Sequence, residues 1–141
     1  MRIVANDANM QMTQTKVIYS ELSYKINGIL FTIHNELGRH CNEKQYCDGI
    51  ESLLKKMEIP YKRELILPPS FEGERPGRNR VDFLVDGKII IEVKAKPFIE
   101  RADLYQAKRY QQAFGCKLTL LANFRQQYML PKRIINSSVP E

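Results

Sequence analysis

Three charged residues stand in two apolar segments that have the composition of buried β-strands. Asp82 lies in the first segment, while Glu92 and Lys94 lie in the second, after an Asp86-Gly87 pair that predicts a hairpin turn. Because side chains alternate along a strand, Glu92 and Lys94 point to the same side. Two carboxylates beside a lysine are typical of a site that binds a divalent cation and acts on a phosphate ester.

The face on which Asp82 lies depends on the length of the hairpin turn. With a two-residue loop at Asp86-Gly87, Asp82 faces away from Glu92. With a three-residue loop, in which a type I turn precedes Gly87 in the left-handed region, Asp82 pairs with Ile90. Glu92 is then its diagonal neighbour, and both carboxylates can reach one cation. We predict the three-residue loop.

Asp82 and Glu92 would supply the hard oxygen ligands that Mg²⁺ or Mn²⁺ prefers. The backbone carbonyl of Val93 would be a third ligand, and Glu43, from the first turn of a predicted helix, could complete the set. Lys94 would orient a water molecule and stabilise charge on a phosphate. Two alternatives stay open: Glu43 is an acidic residue favoured at a helix N-terminus, and Glu92 and Lys94 are paired at a sheet edge.

Electrostatics favours a cation at this position. Two carboxylates about 4 Å apart repel each other by roughly 4 kcal/mol at an effective dielectric constant near 20. One lysine cannot neutralise the three carboxylates of Glu43, Asp82 and Glu92. Without a metal, we therefore expect one carboxylate to keep a proton near neutral pH.

The elements that must position these residues follow from the spacing of apolar side chains. Helices are predicted over residues 20–37, 42–58 and 99–114. Strands are predicted over 61–67, on both sides of the hairpin turn and over 117–123, with a short edge strand near 132–135. Because a helix connects the strand of Glu92 to 117–123, these two strands should be parallel. The order ααβββαβ predicts an α/β fold with a mixed β-sheet flanked by helices.

The predicted organisation is one domain over residues 20–135, between a flexible N-terminal leader (1–19) and a C-terminal tail (136–141). Its 22 Lys and Arg against 16 Asp and Glu give a net charge of +6, which favours a polyanionic partner. We expect nucleic acid, most readily DNA. The candidate nucleic-acid-binding residues are Arg78, Arg80, Lys96, Gln106, Lys108, Arg109 and Tyr110.

The three cysteines show no metal-binding spacing, and no apolar run is long enough to span a membrane. We therefore expect a cytoplasmic protein with reduced thiols and no membrane partner. A homo-oligomer or a larger assembly stays open.

The order and spacing of four elements over residues 22–124 resemble the GxxExxY family of the PD-(D/E)XK nuclease superfamily. The matching elements are Leu37-Gly38 with Glu43-Lys-Gln-Tyr46, Val81-Asp82 to Lys88 followed by Ile91-Glu92-Val93-Lys94-Ala95, Gln106 with Tyr110, and Leu120-Leu121-Ala122-Asn123-Phe124.

This resemblance implies a restriction-endonuclease-like core with Asp82 and Glu92 as metal ligands and Lys94 as the catalytic lysine. It also implies that Glu43 is the helical carboxylate and that Gln106 supports the site or touches nucleic acid. Some relatives carry iron–sulfur clusters, but three cysteines cannot supply the four ligands that such a cluster needs.

Three functional hypotheses follow. The first is a Mg²⁺-dependent nuclease that hydrolyses phosphodiester bonds, with DNA as the expected substrate. The second is a catalytically silent nuclease-fold protein that binds nucleic acid or acts as an adaptor. The third is a basic structural protein without a metal.

Overall fold

The computed structural model describes residues 17–141, which form three helices and five strands. The helices are α1 (Ser20–Leu37), α2 (Glu43–Lys56) and α3 (Arg101–Phe114). The strands are β1 (Tyr61–Ile66), β2 (Arg80–Val85), β3 (Ile89–Lys94), β4 (Leu118–Asn123) and β5 (Lys132–Ile135). All predicted elements are confirmed, including the short last strand. The largest differences are two residues: α2 ends two residues earlier than predicted, and α3 begins two residues later.

The five strands form one mixed sheet in the order β1-β2-β3-β4-β5. Neighbouring strands are antiparallel except β3 and β4, which are parallel as predicted because α3 connects them. α1 and α2 pack on one face of the sheet, and α3 packs on the other. The fold is therefore the predicted mixed α/β sheet flanked by helices, which is the arrangement of a restriction-endonuclease-like core.

The apolar stripes of the helices explain these two layers. Ile26 and Leu30 of α1 and Tyr46 and Ile50 of α2 are buried against the alternate residues of β3 that include Ile91. On the opposite face, Tyr110 of α3 packs against Ile90, and Ala107 packs against Leu121 of β4. β3 and β4 are therefore buried on both faces, as expected for the parallel strands of an α/β fold.

The hairpin between β2 and β3 has the predicted three-residue loop, but its register and turn type differ from the prediction. Val85 pairs with Ile89, and Leu84, not Asp82, pairs with Ile90. Asp86 has φ of 52° and Gly87 has φ of 64°, so both residues lie in the left-handed region and the turn is not type I. Moving the register by two residues preserves the faces of the side chains.

The described part of the predicted leader contacts the domain. Ile18 and Tyr19 are partly buried against the α1–α2 side of the core. The backbone N–H of Tyr19 donates a hydrogen bond to Glu141 at the other end of the chain. The prediction for residues 1–16 lies outside the described residues.

Candidate active site

Asp82 and Glu92 are joined by two hydrogen bonds that cross from β2 to β3. The backbone N–H of Asp82 donates to Oε1 of Glu92 at 3.1 Å, and the backbone N–H of Val93 donates to Oδ2 of Asp82 at 2.7 Å. The regular strand pairing stops at the preceding pair, Phe83 and Ile91. At this point the two carboxylates replace backbone carbonyls as acceptors, which brings both acidic groups to the same opening in the sheet.

β2 also turns over at Asp82. Phe83 and Val85 pack against α1 and α2, whereas Val81 packs on the α3 side. Strict alternation would put Val81 on the face of Phe83. Glu64, which comes between two residues of β1 paired with β2, has φ of 53°, so the neighbouring strand is distorted at the same level. Asp82 therefore stands at the point where β2 changes faces.

Burial makes this pair of carboxylates electrostatically unfavourable. Glu92 is only 5% exposed, and burial followed by the charge of Asp82 raises its pKa to about 8. Burial also raises the pKa of Asp82, against the hydrogen bond from Val93, and the nearby charge of Glu43 raises it further. Without a cation, Glu92 therefore keeps a proton near neutral pH, which is what the sequence predicts.

Glu43 approaches the site from the first turn of α2. Asn42 caps this helix, because its side chain accepts a hydrogen bond from the N–H of Gln45 and the Gln45 side chain accepts one from the N–H of Asn42. One turn later, the ring of Tyr46 stacks on Phe124 at 4.1 Å. The start of α2 is thereby fixed against the end of β4.

The side chain of Glu43 is exposed and lines a cavity of about 240 Å³ together with Asp82. Cys47 and Arg63 also line this cavity, and Arg63 is held by Asp48 and Glu51 of α2. Its other lining residues are Lys44, Glu64 and Arg80. A second, open cavity of about 740 Å³ begins on the other side of Glu43 and extends to Arg125. Glu43 therefore separates a small cavity above Asp82 from a larger polar groove.

Lys94, the last residue of β3, points to the α3 side of the sheet. Its Nζ lies 3.8 Å from Oδ1 of Asp103, in the first turn of α3. Sequence analysis missed Asp103, because an acidic residue at that position is expected from helix capping alone. The signal that could have revealed it is its place after Lys94 and Lys96 on the turn that leads into α3.

The other sequence-predicted residues lie in the loop before β2, at the start of β2, after β3 and on α3. Arg78 is exposed in the loop before β2, and Arg80 is exposed and pairs with Glu64 at 3.3 Å. Lys96 is bound by Glu100 and Asp103 at 3.0 and 2.9 Å, so its charge is already shared with two carboxylates.

On α3, the predicted residues differ in exposure. Gln106 is half-buried, whereas Lys108 and Arg109 are exposed. The Arg109 guanidinium lies 5.5 Å from the ring centre of Tyr110. Tyr110 itself is buried and donates a hydrogen bond to Asn79 at 3.4 Å.

The donor set can be compared with the needs of a divalent cation. Within residues 17–141, no group of three or more His, Cys, Asp and Glu side chains is arranged to hold a metal ion. Two carboxylates are present, and neither Oδ1 of Asp82 nor Oε2 of Glu92 accepts a hydrogen bond from another of these residues. Mg²⁺ is commonly bound by one or two carboxylates and several waters, so Asp82 and Glu92 fit this ion.

The comparison with protein families gives one match. The model of the PD-(D/E)XK nuclease superfamily matches residues 20–134, which include every helix and nearly all of the sheet. The chain belongs to the PD-(D/E)XK nuclease superfamily. Asp82, Glu92 and Lys94 follow the order in the name of the superfamily, which is an aspartate and then an acidic residue, any residue and a lysine. Val81 stands where the name has a proline.

Membership supports a nuclease-type active site and, with it, a nucleic-acid substrate, while the finer GxxExxY assignment stays a prediction. No match was found among curated proteins, and none was found among solved structures. None of the helices in residues 17–141 combines the length and the apolar composition needed to cross a membrane.

Proposed function

We propose that this member of the PD-(D/E)XK nuclease superfamily is a Mg²⁺- or Mn²⁺-dependent nuclease that hydrolyses phosphodiester bonds, with DNA as its substrate. The observation that carries the proposal is the pair formed by the half-buried Asp82 and the buried Glu92, joined by hydrogen bonds to each other's strands, beside Lys94. Two acidic groups in a poorly hydrated position raise the free energy of the folded protein, so they need a functional reason. A divalent cation would remove this cost.

In the proposed site, Asp82, Glu92 and the backbone carbonyl of Val93 would hold the cation. Glu43, which lines the same cavity as Asp82, would face it from α2. A bound divalent ion would supply a Lewis acid that polarises the phosphate and lowers the pKa of an attacking water.

Lys94 supplies the positive charge that the protein itself brings to the site. Its ammonium group lies on the α3 side, where it can donate to a non-bridging oxygen of the reacting phosphate. Such a contact becomes stronger as negative charge develops on that oxygen. Lys94 therefore lowers the barrier to hydrolysis more than it strengthens substrate binding.

We assign the contacts with the substrate backbone to basic residues that are exposed near this site. Arg78 and Arg80 come from the loop and the first residue of β2, and Lys108 and Arg109 come from α3. Contacts of this kind position a nucleic acid without reading its sequence. Lys96, Gln106 and Tyr110 are wholly or partly buried, so they would contact only those substrate groups that lie directly against the protein surface.

The test is cleavage of linear and circular DNA and of RNA by purified protein with Mg²⁺ or Mn²⁺. We expect DNA cleavage that excess EDTA abolishes, and a loss of at least about 100-fold in Asp82→Asn and in Lys94→Ala, because each variant removes charge at the reacting centre. Asp86→Asn and Lys88→Ala, at the exposed hairpin turn of the same strands, are matched controls and should keep wild-type activity.

Cleavage that survives in Asp82→Asn or Lys94→Ala would exclude this mechanism. Salt-sensitive DNA binding without cleavage, unchanged in Asp82→Asn, would instead support the nucleic-acid-binding or adaptor function. Preference for RNA over DNA would keep the chemistry and change the substrate.

A further inference from the structure

Asp103 of α3 lies between two lysines that come from the end of β3. Its Oδ2 accepts a hydrogen bond from Nζ of Lys96 at 2.9 Å, and its Oδ1 lies 3.8 Å from Nζ of Lys94. The backbone N–H of Glu100 donates to the same Oδ2 at 2.8 Å. One carboxylate therefore joins both lysines to the first turn of α3.

This cluster is shielded from solvent. The side chain of Asp103 is 11% exposed and that of Lys94 is 19% exposed. Although burial alone would raise it, the pKa of Asp103 lies below its ordinary value because of the hydrogen bonds from Lys96 and from the backbone of Glu100. Asp103 is therefore a carboxylate at neutral pH, and its attraction for Lys94 is weakened less by solvent than that of a surface pair.

The segment that carries Lys96 is fixed as well. Its backbone N–H donates to Oδ1 of Asn123 at 3.1 Å, and its carbonyl accepts from Nδ2 of Asn123 at 2.8 Å. Asn123 is the last residue of β4, beside the end of β3. Asp103 and the two lysines are thus anchored at α3 and at the ends of β3 and β4. The carboxylate of Asp103 therefore cannot move freely with the side chain of Lys94.

Lys94 needs such a partner because its side chain is long and flexible. A lysine loses much of its rotamer entropy when it is held in one conformation. Among the described residues, the contact with Asp103 is the one salt bridge that Lys94 makes.

We propose that Asp103 is a positioning residue, which holds the ammonium group of Lys94 on the α3 side of the Asp82–Glu92 pair and keeps Lys96 apart from the reacting phosphate. This inference rests on the proposed function, in which Lys94 contacts the phosphate. Asp103 does not touch the substrate. It acts through Lys94, and its loss leaves the two lysines without their shared counter-charge.

The test compares Asp103→Asn with Glu100→Gln. Asn keeps the shape of the side chain and can still accept from the N–H of Glu100, but it loses the charge that attracts Lys94. Glu100→Gln is the matched control, because it removes the other carboxylate bound to Lys96 and leaves the Lys94 contact intact.

The first measurement is independent of activity. Wild-type and variant proteins are acylated at low extent with an amine-reactive ester, and mass spectrometry gives the labelling rate of Lys94 relative to the exposed Lys88. We expect Lys94 to be labelled several-fold faster in Asp103→Asn and at the wild-type rate in Glu100→Gln. The second measurement is cleavage kinetics, in which Asp103→Asn should lower kcat about 10-fold or more with little change in KM.

The charge-retaining Asp103→Glu variant should recover part of kcat and the slow labelling of Lys94. It also keeps the inference testable if Asp103→Asn does not fold, since fast labelling of Lys94 in Asp103→Glu would overturn it. Equal labelling of Lys94 in wild type and Asp103→Asn would overturn it whether or not the protein cleaves nucleic acid. An unchanged or increased kcat in Asp103→Asn would also overturn it. If Lys94 is labelled faster in Asp103→Asn but the wild-type protein does not cleave nucleic acid, the positioning role of Asp103 is supported and the proposed nuclease function fails.

Discussion

At the scale of single residues, the site depends on two carboxylates that accept hydrogen bonds from the backbone of each other's strands. Asp82 and Glu92 are both held in place by these bonds. Their positions are therefore organised before any ligand binds, and their mutual repulsion stays in the folded protein. A cation or a proton must offset that repulsion.

The proton alternative gives a prediction for Glu92. Its pKa is about 8 in the folded protein against an ordinary value of 4.5, so the folded state holds a proton that the unfolded state releases between these values. In metal-free buffer, the contribution of Glu92 to the free energy of unfolding should fall as pH rises from 4.5 to 8, by at most about 1.4 kcal/mol per pH unit. Glu92→Gln should remove this fall and be more stable than wild type at pH 8.

Urea unfolding with EDTA at several pH values measures this difference. Gln keeps an oxygen that can accept from the N–H of Asp82, so the comparison isolates the charge. Parallel pH profiles for wild type and Glu92→Gln would show that Glu92 is ionised in the folded protein at neutral pH.

At the scale of elements, the hairpin turn fixes which residues of β2 and β3 meet. In the observed register, Val85 pairs with Ile89, and both Asp86 and Gly87 in the loop have positive φ. α2 and α3 approach from opposite faces of the sheet, and the first turn of each brings one carboxylate, Glu43 or Asp103, towards the strand ends.

Two glycine substitutions should have opposite effects on stability. A Cβ at either Gly87 or Gly28 meets nothing within 4 Å, so only the backbone conformation differs between them. Gly87→Ala should destabilise the protein by roughly 1–2 kcal/mol, because its φ of 64° strains a residue with a Cβ. Gly28→Ala, in the middle of α1, should stabilise it by about 1 kcal/mol.

Chemical denaturation of both variants checks this pair. A loss of stability in Gly28→Ala would contradict the prediction for α1. A neutral Gly87→Ala would mean that the hairpin can adopt a different turn without loss.

At the scale of the whole molecule, the chain carries a net charge of +6. Several of the basic groups near the site are already paired with carboxylates, as Arg80 is with Glu64 and Lys96 is with Asp103. Arg78 makes no salt bridge among the described residues and is exposed in the loop that leads into β2. Unpaired groups of this kind gain most from contact with phosphate, since no existing ion pair has to be broken.

Arg78→Ala should therefore weaken binding to DNA of any sequence. The slope of log binding constant against log salt concentration should become shallower by about one unit, measured with Ca²⁺ in place of Mg²⁺ to limit cleavage. Lys62→Ala is the control, because Lys62 is exposed beside the hairpin turn at the opposite end of the sheet from Lys94. Equal slopes for wild type and Arg78→Ala would exclude Arg78 from the interface.

The sequence by itself determined the elements and their order. Helix and strand periodicity, the Asn42 cap and the Asp86-Gly87 pair are local signals, and each depends on residues a few positions apart in the chain. The parity of the hairpin loop, which decides whether Asp82 and Glu92 lie close together, belongs to the same class. The parallel pairing of β3 and β4 followed from one helical connection.

Only the tertiary structure decided how the charged groups are paired. Three features depend on packing between elements: the two-residue shift in the hairpin register, the change of face of β2 at Asp82, and the contact of Lys94 with Asp103. The physical reason is that local patterns specify which face a side chain takes, whereas the partner of a charge depends on distances set by both layers of helices. For that reason Asp103 looked like an ordinary first-turn acidic residue until α3 was placed against the end of β3.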